Sequence, residues 1–286
     1  MDRPTGIYIG TCGWSYPRGE GSWKGRFYPA KVNELQYYSS IFSTVEVNSS
    51  FYHPPLPATV YSWLKRVPEG FIFAVKLWQK FTHPKMYEQT TGREAVISQE
   101  DVILFEDSLK PLVEQNRLGA LLAQFPPSFK NNNFCRQILK AVIKAFKHYP
   151  LAVELRDVSW SDDDKTAELL KEAGVAWVQI DEPRFKSSIA GDLPITSEMA
   201  YFRFHGRNRE MWWRGDSETR YKYLYSDREL EELTQKVKAA GSKAKLTFVF
   251  FNNHWQGYAP RNAVQMIKSL KEMVKDVHFK EELLKD

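Results

Sequence analysis

Eight short apolar runs recur along this chain, and most are followed by a segment of helical periodicity. The runs are IYIGTC (7–12), TVEVNS (44–49), IFAVKLW (72–78), GALLAQF (119–125), LAVELRD (151–157), AWVQID (176–181), YFRFHG (201–206) and LTFVFFNN (246–253). Helices are predicted at 33–42, 58–67, 99–116, 132–148, 162–173, 227–240 and 260–275. Ser161, ahead of an acidic first turn, and Ser226 with Glu229 mark two of their starts. Strands alternating with helices predict a parallel sheet. Eight is the number that closes a (β/α)8 barrel, so the predicted class is α/β, a TIM-like barrel. The rival is an open doubly wound sheet. It carries a glycine-rich turn after its first strand, and GTCGWSYP does not match that fingerprint.

The pattern has two interruptions. The link 183–199 contains Gly191 and Pro194 and no convincing helix, so the sixth helix is predicted to be missing or a single turn. The stretch 79–98 is long before its helix begins. No linker, low-complexity tract or short repeat divides the chain, which predicts one domain over 1–286. With 286 residues, 43% of them hydrophobic, there is ample material for a large core. No apolar run approaches the roughly 20 residues that span a bilayer. The opening residues lack the layout of a signal peptide, and Cys12 and Cys135 lack metal-ligand spacing. Free thiols in the cytoplasm, with no membrane partner, are the expectation.

What the strands carry at their far ends points to function. Side chains of a strand alternate between faces, so residues two apart share one. Glu46 and Asn48, Lys76 and Trp78, Glu154 and Arg156, Gln179 and Asp181, and Arg203 and His205 are such pairs. Gln124 ends the fourth strand, and Asn252 and Asn253 end the eighth. Parallel strands buried on both faces are normally close to continuously apolar. Any single pair reads equally well as a structural ion pair. Repetition at one end of successive strands points instead to a polar pocket at the C-terminal mouth, where barrel sites lie.

The residue types narrow the chemistry. Lys76, Arg156 and Arg203 supply cationic donors for carboxylate or phosphate, and Asn48, Tyr52, Gln124, Trp14, Asn252 and Asn253 complete the predicted ligand-binding set. Glu154, Glu46, Asp181 and His205 are the candidate acid–base groups. No metal ligand set is predicted, and the residues leave any cofactor open. A pocket open to water would let Glu154→Gln change stability by no more than about 1–2 kcal/mol.

Two loops carry further aromatics. In 206–227, arginines (Arg207, Arg209, Arg214, Arg220) alternate with Trp212, Trp213, Tyr221, Tyr223 and Tyr225. Such interleaving stacks bases or sugars, or packs the loop over the mouth. In 13–29, Trp14, Tyr16, Trp23, Phe27 and Tyr28 either wall the pocket or pack.

IGTCGWSYP, WKGRFYP, FSTVEVNSSFY, FAVKLWQKFTH, LLAQFPPSF, AVELRDVSW, YFRFHGRN, YLYS and FFNNH together resemble the YecE-like family (domain of unknown function 72), and its Gram-positive members in particular. The likeness runs from the first strand to the last. It implies a TIM-like barrel with a polar pocket at the strand C-termini and brings no established reaction. A looser likeness of fold extends to metal-dependent barrels of the xylose isomerase and endonuclease IV types. The chain departs from them in having asparagines at 252 and 253, one strand-end histidine, and Arg156 and Arg203, which repel a cation. The expected partner is a small anionic, sugar-phosphate-like ligand. The mild net charge of +5 also admits nucleic acid as an alternative, with a metal-dependent isomerase or hydrolase as another.

Overall fold

The computed structural model describes residues 4–216, 219–273 and 277–278. In chain order its elements begin β1 (Gly6–Thr11), α1 (Glu34–Ile41), β2 (Thr44–Val47), α2 (Pro57–Leu64), β3 (Ile72–Lys76), α3 (Gln79–Thr82), α4 (Pro84–Thr91) and α5 (Gln99–Glu114). Next come β4 (Leu118–Gln124), α6 (Asn133–Phe146), β5 (Leu151–Glu154), α7 (Asp164–Glu172), β6 (Ala176–Trp177) and β7 (Gln179–Asp181). The last are β8 (Met199–Phe204), α8 (Asp227–Gly241), β9 (Leu246–Phe251), α9 (Tyr258–Lys271) and β10 (Val277–His278). Residues 274 and 275 of the expected last helix lie outside the described residues.

The strands form two five-stranded sheets, β2-β3-β4-β5-β6 and β10-β1-β9-β8-β7, parallel throughout. They do not join into one hydrogen-bonded ring, so the regular closed barrel expected from eight strands is not what the ladders draw. The reason is local at each seam. Between β1 and β2 the Tyr38 hydroxyl intervenes: it accepts from Thr11 N at 2.8 Å and donates to Thr44 O at 3.1 Å. Beyond it the strands meet in one isolated bridge, Cys12 with Glu46. The approach is so close that a Cβ on Gly10 would lie 2.4 Å from Thr44 O. At the other seam the expected sixth strand, 176–181, is broken. Val178 N donates to Val153 O at 3.0 Å, which keeps β6 with the first sheet, and from Gln179 onward the chain pairs with β8.

A contiguous cluster of buried apolar side chains reaches across both sheets, with Ile9, Phe73, Leu121, Val153, Tyr201 and Phe248 among its members. Several helices are held at their starts by side chains. Ser226 and Glu229 form a capping box on α8, and Ser98 and Asp101 form one on α5. For α7 the cap is Asp163 rather than Ser161, which instead closes a 3-10 turn, Val158–Trp160. The link from β7 to β8 has no helix. Its backbone is tied down by Arg184, whose guanidinium donates to Ile189 O at 2.7 Å and Ile180 O at 3.2 Å. The long stretch after β3 holds α3 and α4, and Gly92 ends α4 in the left-handed conformation at φ 66°. β10, which pairs with the edge of β1, was not expected. No helix among the described residues is long and apolar enough to cross a membrane. Cys12 and Cys135 are free thiols.

Candidate functional site

At the C-terminal ends of the strands, charged side chains from β2, β5 and β8 form a sealed ladder. Arg203 on β8 donates to Glu46 on β2 at 2.8 Å and to Glu154 on β5 at 2.6 Å. Arg156 donates to the other Glu154 oxygen at 2.6 Å and lies 3.3 Å from Glu182. Tyr201 gives its hydroxyl proton to the second Glu46 oxygen at 2.7 Å. Glu46 and Glu154 are both fully buried. Burial pushes the Glu154 carboxyl up, but Arg156 and Arg203 outweigh it and hold the group well below the usual carboxylate range. The expectation of a water-exposed Glu154 therefore fails, because both its oxygens are covered by guanidinium groups.

Above this ladder lies a cavity of about 520 Å³, into which Lys76, Arg156, Arg203 and His205 project. Trp14, Asn48, Tyr52, Gln124 and Asn252 share its wall. Among the described residues, no aspartate or glutamate does. Two buried polar atoms on lining residues, Arg203 Nε and Asn48 Oδ1, have no hydrogen-bond partner among the described residues. The wall thus combines three cationic side chains with unsatisfied donor and acceptor capacity, and the carboxylates sit beneath, fixing the arginines.

The bases in this cavity are electrostatically depressed. Burial, reinforced by Arg203 and Arg156 and partly offset by Glu154 and Glu46, lowers Lys76 to about 7. Its ammonium lies 3.9 Å from the centroid of the Phe51 ring. His205 is lowered to about 3 by burial and by Arg156, and so is neutral near pH 7. Arg156 is a donor only, so His205 Nε2, 3.1 Å from its guanidinium, is the acceptor. The ring proton is then on Nδ1, 2.9 Å from the Asn252 amide, which must present its oxygen there. His83 is likewise lowered to about 3 by burial and Lys76, and it lies 3.4 Å from the Gln124 amide.

Two predicted residues lie elsewhere. Asp181 accepts from Arg207 Nε at 2.9 Å, Arg207 NH2 at 2.7 Å and the Tyr225 hydroxyl at 2.7 Å. It lines, with Gln179 and residues of α8, a separate groove. Asn253 is fully buried and donates to Tyr223 O at 2.9 Å and Asn262 Oδ1 at 2.8 Å, tying α9 to the 206–227 loop. Sequence reasoning missed Glu182 and His254. Glu182 was hidden by taking strand six as unbroken; His254 lies on a loop past the last strand, where strand alternation gives no signal.

The aromatic loops divide between their two readings. Trp14 and Tyr16 wall the cavity, whereas Trp23 is buried with its indole donating to His254 O at 2.5 Å. In 206–227, Tyr221 reaches the cavity and Trp212 and Tyr225 are buried. Three of its four arginines are engaged internally: Arg207 by Asp181 and Glu229, Arg209 over Phe185, and Arg220 at 3.4 Å from Gly215 O, while Arg214 is exposed. Ser217 and Glu218 of this loop lie outside the described residues. Among the described residues, no group of three His, Cys, Asp or Glu side chains is arranged to hold a metal ion.

The family model described as "Protein of unknown function DUF72" matches residues 8–285. The chain belongs to the DUF72 family. Among curated proteins it is 33% identical, over 282 residues, to the UPF0759 protein YunF of Bacillus subtilis, covering 92% of this chain and 94% of that one. A DUF72 protein crystal structure from Thermotoga maritima is 37% identical and superposes with a TM-score of 0.80, covering 93% of this chain and 99% of the other. A DUF72 protein from Enterococcus faecalis is 30% identical with a TM-score of 0.81, covering 93% and 95%.

Proposed function

We propose that this DUF72 protein is a single barrel-like domain whose strand-end cavity binds a small organic anion of the sugar-phosphate type. The observation that carries the reading is the wall: Lys76, Arg156 and Arg203 line it, and among the described residues no carboxylate does. In a low-dielectric cleft such a wall attracts negative charge, and a guanidinium engages carboxylate or phosphate oxygens through paired N–H donors. Asn48, Gln124 and Asn252 offer amides for hydroxyl groups, and Trp14 and Tyr52 offer apolar faces for a sugar ring. Glu154 serves in this reading as a positioning residue that orients Arg156 and Arg203, in place of the general-base role expected from sequence. The barrel reading rests on the two seams, where β1 touches β2 through Cys12 and Glu46 and where Val178 carries the chain from one sheet into the other. A cytoplasmic setting suits two free thiols.

A thermal-shift panel of phosphorylated sugars tests the reading. A ligand present at 100 times its Kd stabilises the native state by roughly 2.7 kcal/mol, enough to raise the midpoint by several degrees. An unchanged midpoint across the whole panel at millimolar concentration removes the proposal.

A further inference from the structure

We infer that Lys76 is a nucleophile that captures a carbonyl-bearing anion as an imine inside the strand-end cavity. This rests on the anion-binding reading of the same cavity and adds the chemical class of its occupant, an aldehyde or ketone carrying phosphate or carboxylate. Lys76 ends β3, so its amine is delivered from a rigid sheet rather than from a loop. Its neighbour β4 pairs alongside it at Leu122, which fixes the strand end. The side chain lines the cavity, and its nitrogen lies over the Phe51 ring. Among the described residues no carboxylate forms an ion pair with it, whereas the carboxylates nearby are already bonded to Arg203 and Arg156. A structural lysine in a buried site is normally neutralised by a partner. This one is held among cations.

The surroundings set the state of the amine. Arg203 from β8, Arg156 after β5 and His83 between α3 and α4 face it, with Glu46 from β2 and Glu154 from β5 behind the arginines. Burial and the arginines outweigh the two carboxylates and bring the amine to about 7, so a large neutral fraction exists near neutral pH. The neutral nitrogen attacks the carbonyl carbon: a C–N bond forms as the C–O π bond breaks, giving a carbinolamine. Loss of water then leaves the C=N bond, the oxygen departing with two protons that began on the amine. Nothing is oxidised or reduced. Arg156 on the same wall supplies donors for the anionic group, and the neutral ring of His205 adds no competing positive charge.

The test uses the full chain and pyridoxal 5′-phosphate, an anionic aldehyde, with cyanoborohydride to reduce any imine and peptide mass spectrometry to locate it. Lys76 is expected to be labelled at least about tenfold faster than any surface lysine, with a rate that rises through pH 7 and levels off above it. Glycerol 3-phosphate, which has no carbonyl, is expected to slow labelling of Lys76 alone and to raise the thermal midpoint. Labelling of Lys76 no faster than the surface lysines, with the midpoint still raised by glycerol 3-phosphate, overturns the imine and leaves the anion cavity standing. If glycerol 3-phosphate neither protects nor stabilises, both fall. Wild-type protein carries the whole test, and Lys76→Arg, which keeps the charge, is expected to abolish the fast label if it folds.

Discussion

Arg203 NH1 donates to Glu154 Oε2 at 2.6 Å, and both side chains are closed off from solvent. Charge pairs of this kind place heavy demands on their partners, because neither ion has water to fall back on. Glu154 also accepts from Arg156, so one carboxylate bridges two guanidinium groups.

Glu154→Gln is therefore expected to lower stability by about 3–5 kcal/mol, since it removes the carboxylate shared by two guanidinium groups and leaves Arg203 only Glu46 and Arg156 only the more distant Glu182 as counter-charge. Urea unfolding of the wild type and the variant reads this directly. A loss below about 1 kcal/mol, typical of an exposed pair, contradicts the sealed ladder.

Acid stability should fall on account of His205 and His83. Each has its pKa lowered to about 3 in the fold, against an ordinary value near 6.5. Between those limits the unfolded chain binds more protons than the native one, so stability rises with pH through the window and is lost as pH falls through it. Above about 6.5 neither histidine contributes a slope. Carbon-13 NMR of the histidine rings is expected to show no titration of His205 from pH 8 to pH 5. A midpoint near 6.5 contradicts the buried neutral ring and its acceptance from Arg156.

Asp181 separates structural from binding roles. Asp181→Asn is expected to cost about 1–3 kcal/mol, through the weakened grip on Arg207 and Tyr225, and to leave anion affinity within about twofold, a difference under 0.5 kcal/mol. Parallel unfolding and binding measurements decide this. A tenfold loss of affinity with unchanged stability returns Asp181 to the site.

How far the sequence discloses this arrangement depends on strand regularity. Glu46 with Asn48, Glu154 with Arg156, and Arg203 with His205 are legible because each pair straddles the end of an unbroken strand, with Glu46, Glu154 and Arg203 inside β2, β5 and β8 and their partners one or two residues past the strand ends. The rule fails at Val178, where the chain changes sheets. Past that break Glu182 meets Arg156, while Gln179 and Asp181 turn to the groove beside α8. Depth is a second blind spot. Alternation says that Glu46 and Glu154 share a side with Arg156 and Arg203, but not that the longer guanidinium groups cover the carboxylates. That layering turns an expected acid–base site into a cationic wall. The Tyr38 hydroxyl between β1 and β2 is likewise silent in sequence, because it comes from a helix facing the seam rather than from either strand.

The most direct measurement of the central claim is calorimetric titration of glycerol 3-phosphate into the wild type, Lys76→Gln and Asp181→Asn. A wall lined by Lys76, Arg156 and Arg203, with no carboxylate among its described residues, predicts saturable one-to-one binding by the wild type and the Asp181 variant, weakened by about tenfold or more in Lys76→Gln, equivalent to about 1.4 kcal/mol. The absence of saturable binding by the wild type at millimolar ligand and low salt, or equal affinity in the wild type and Lys76→Gln, contradicts it.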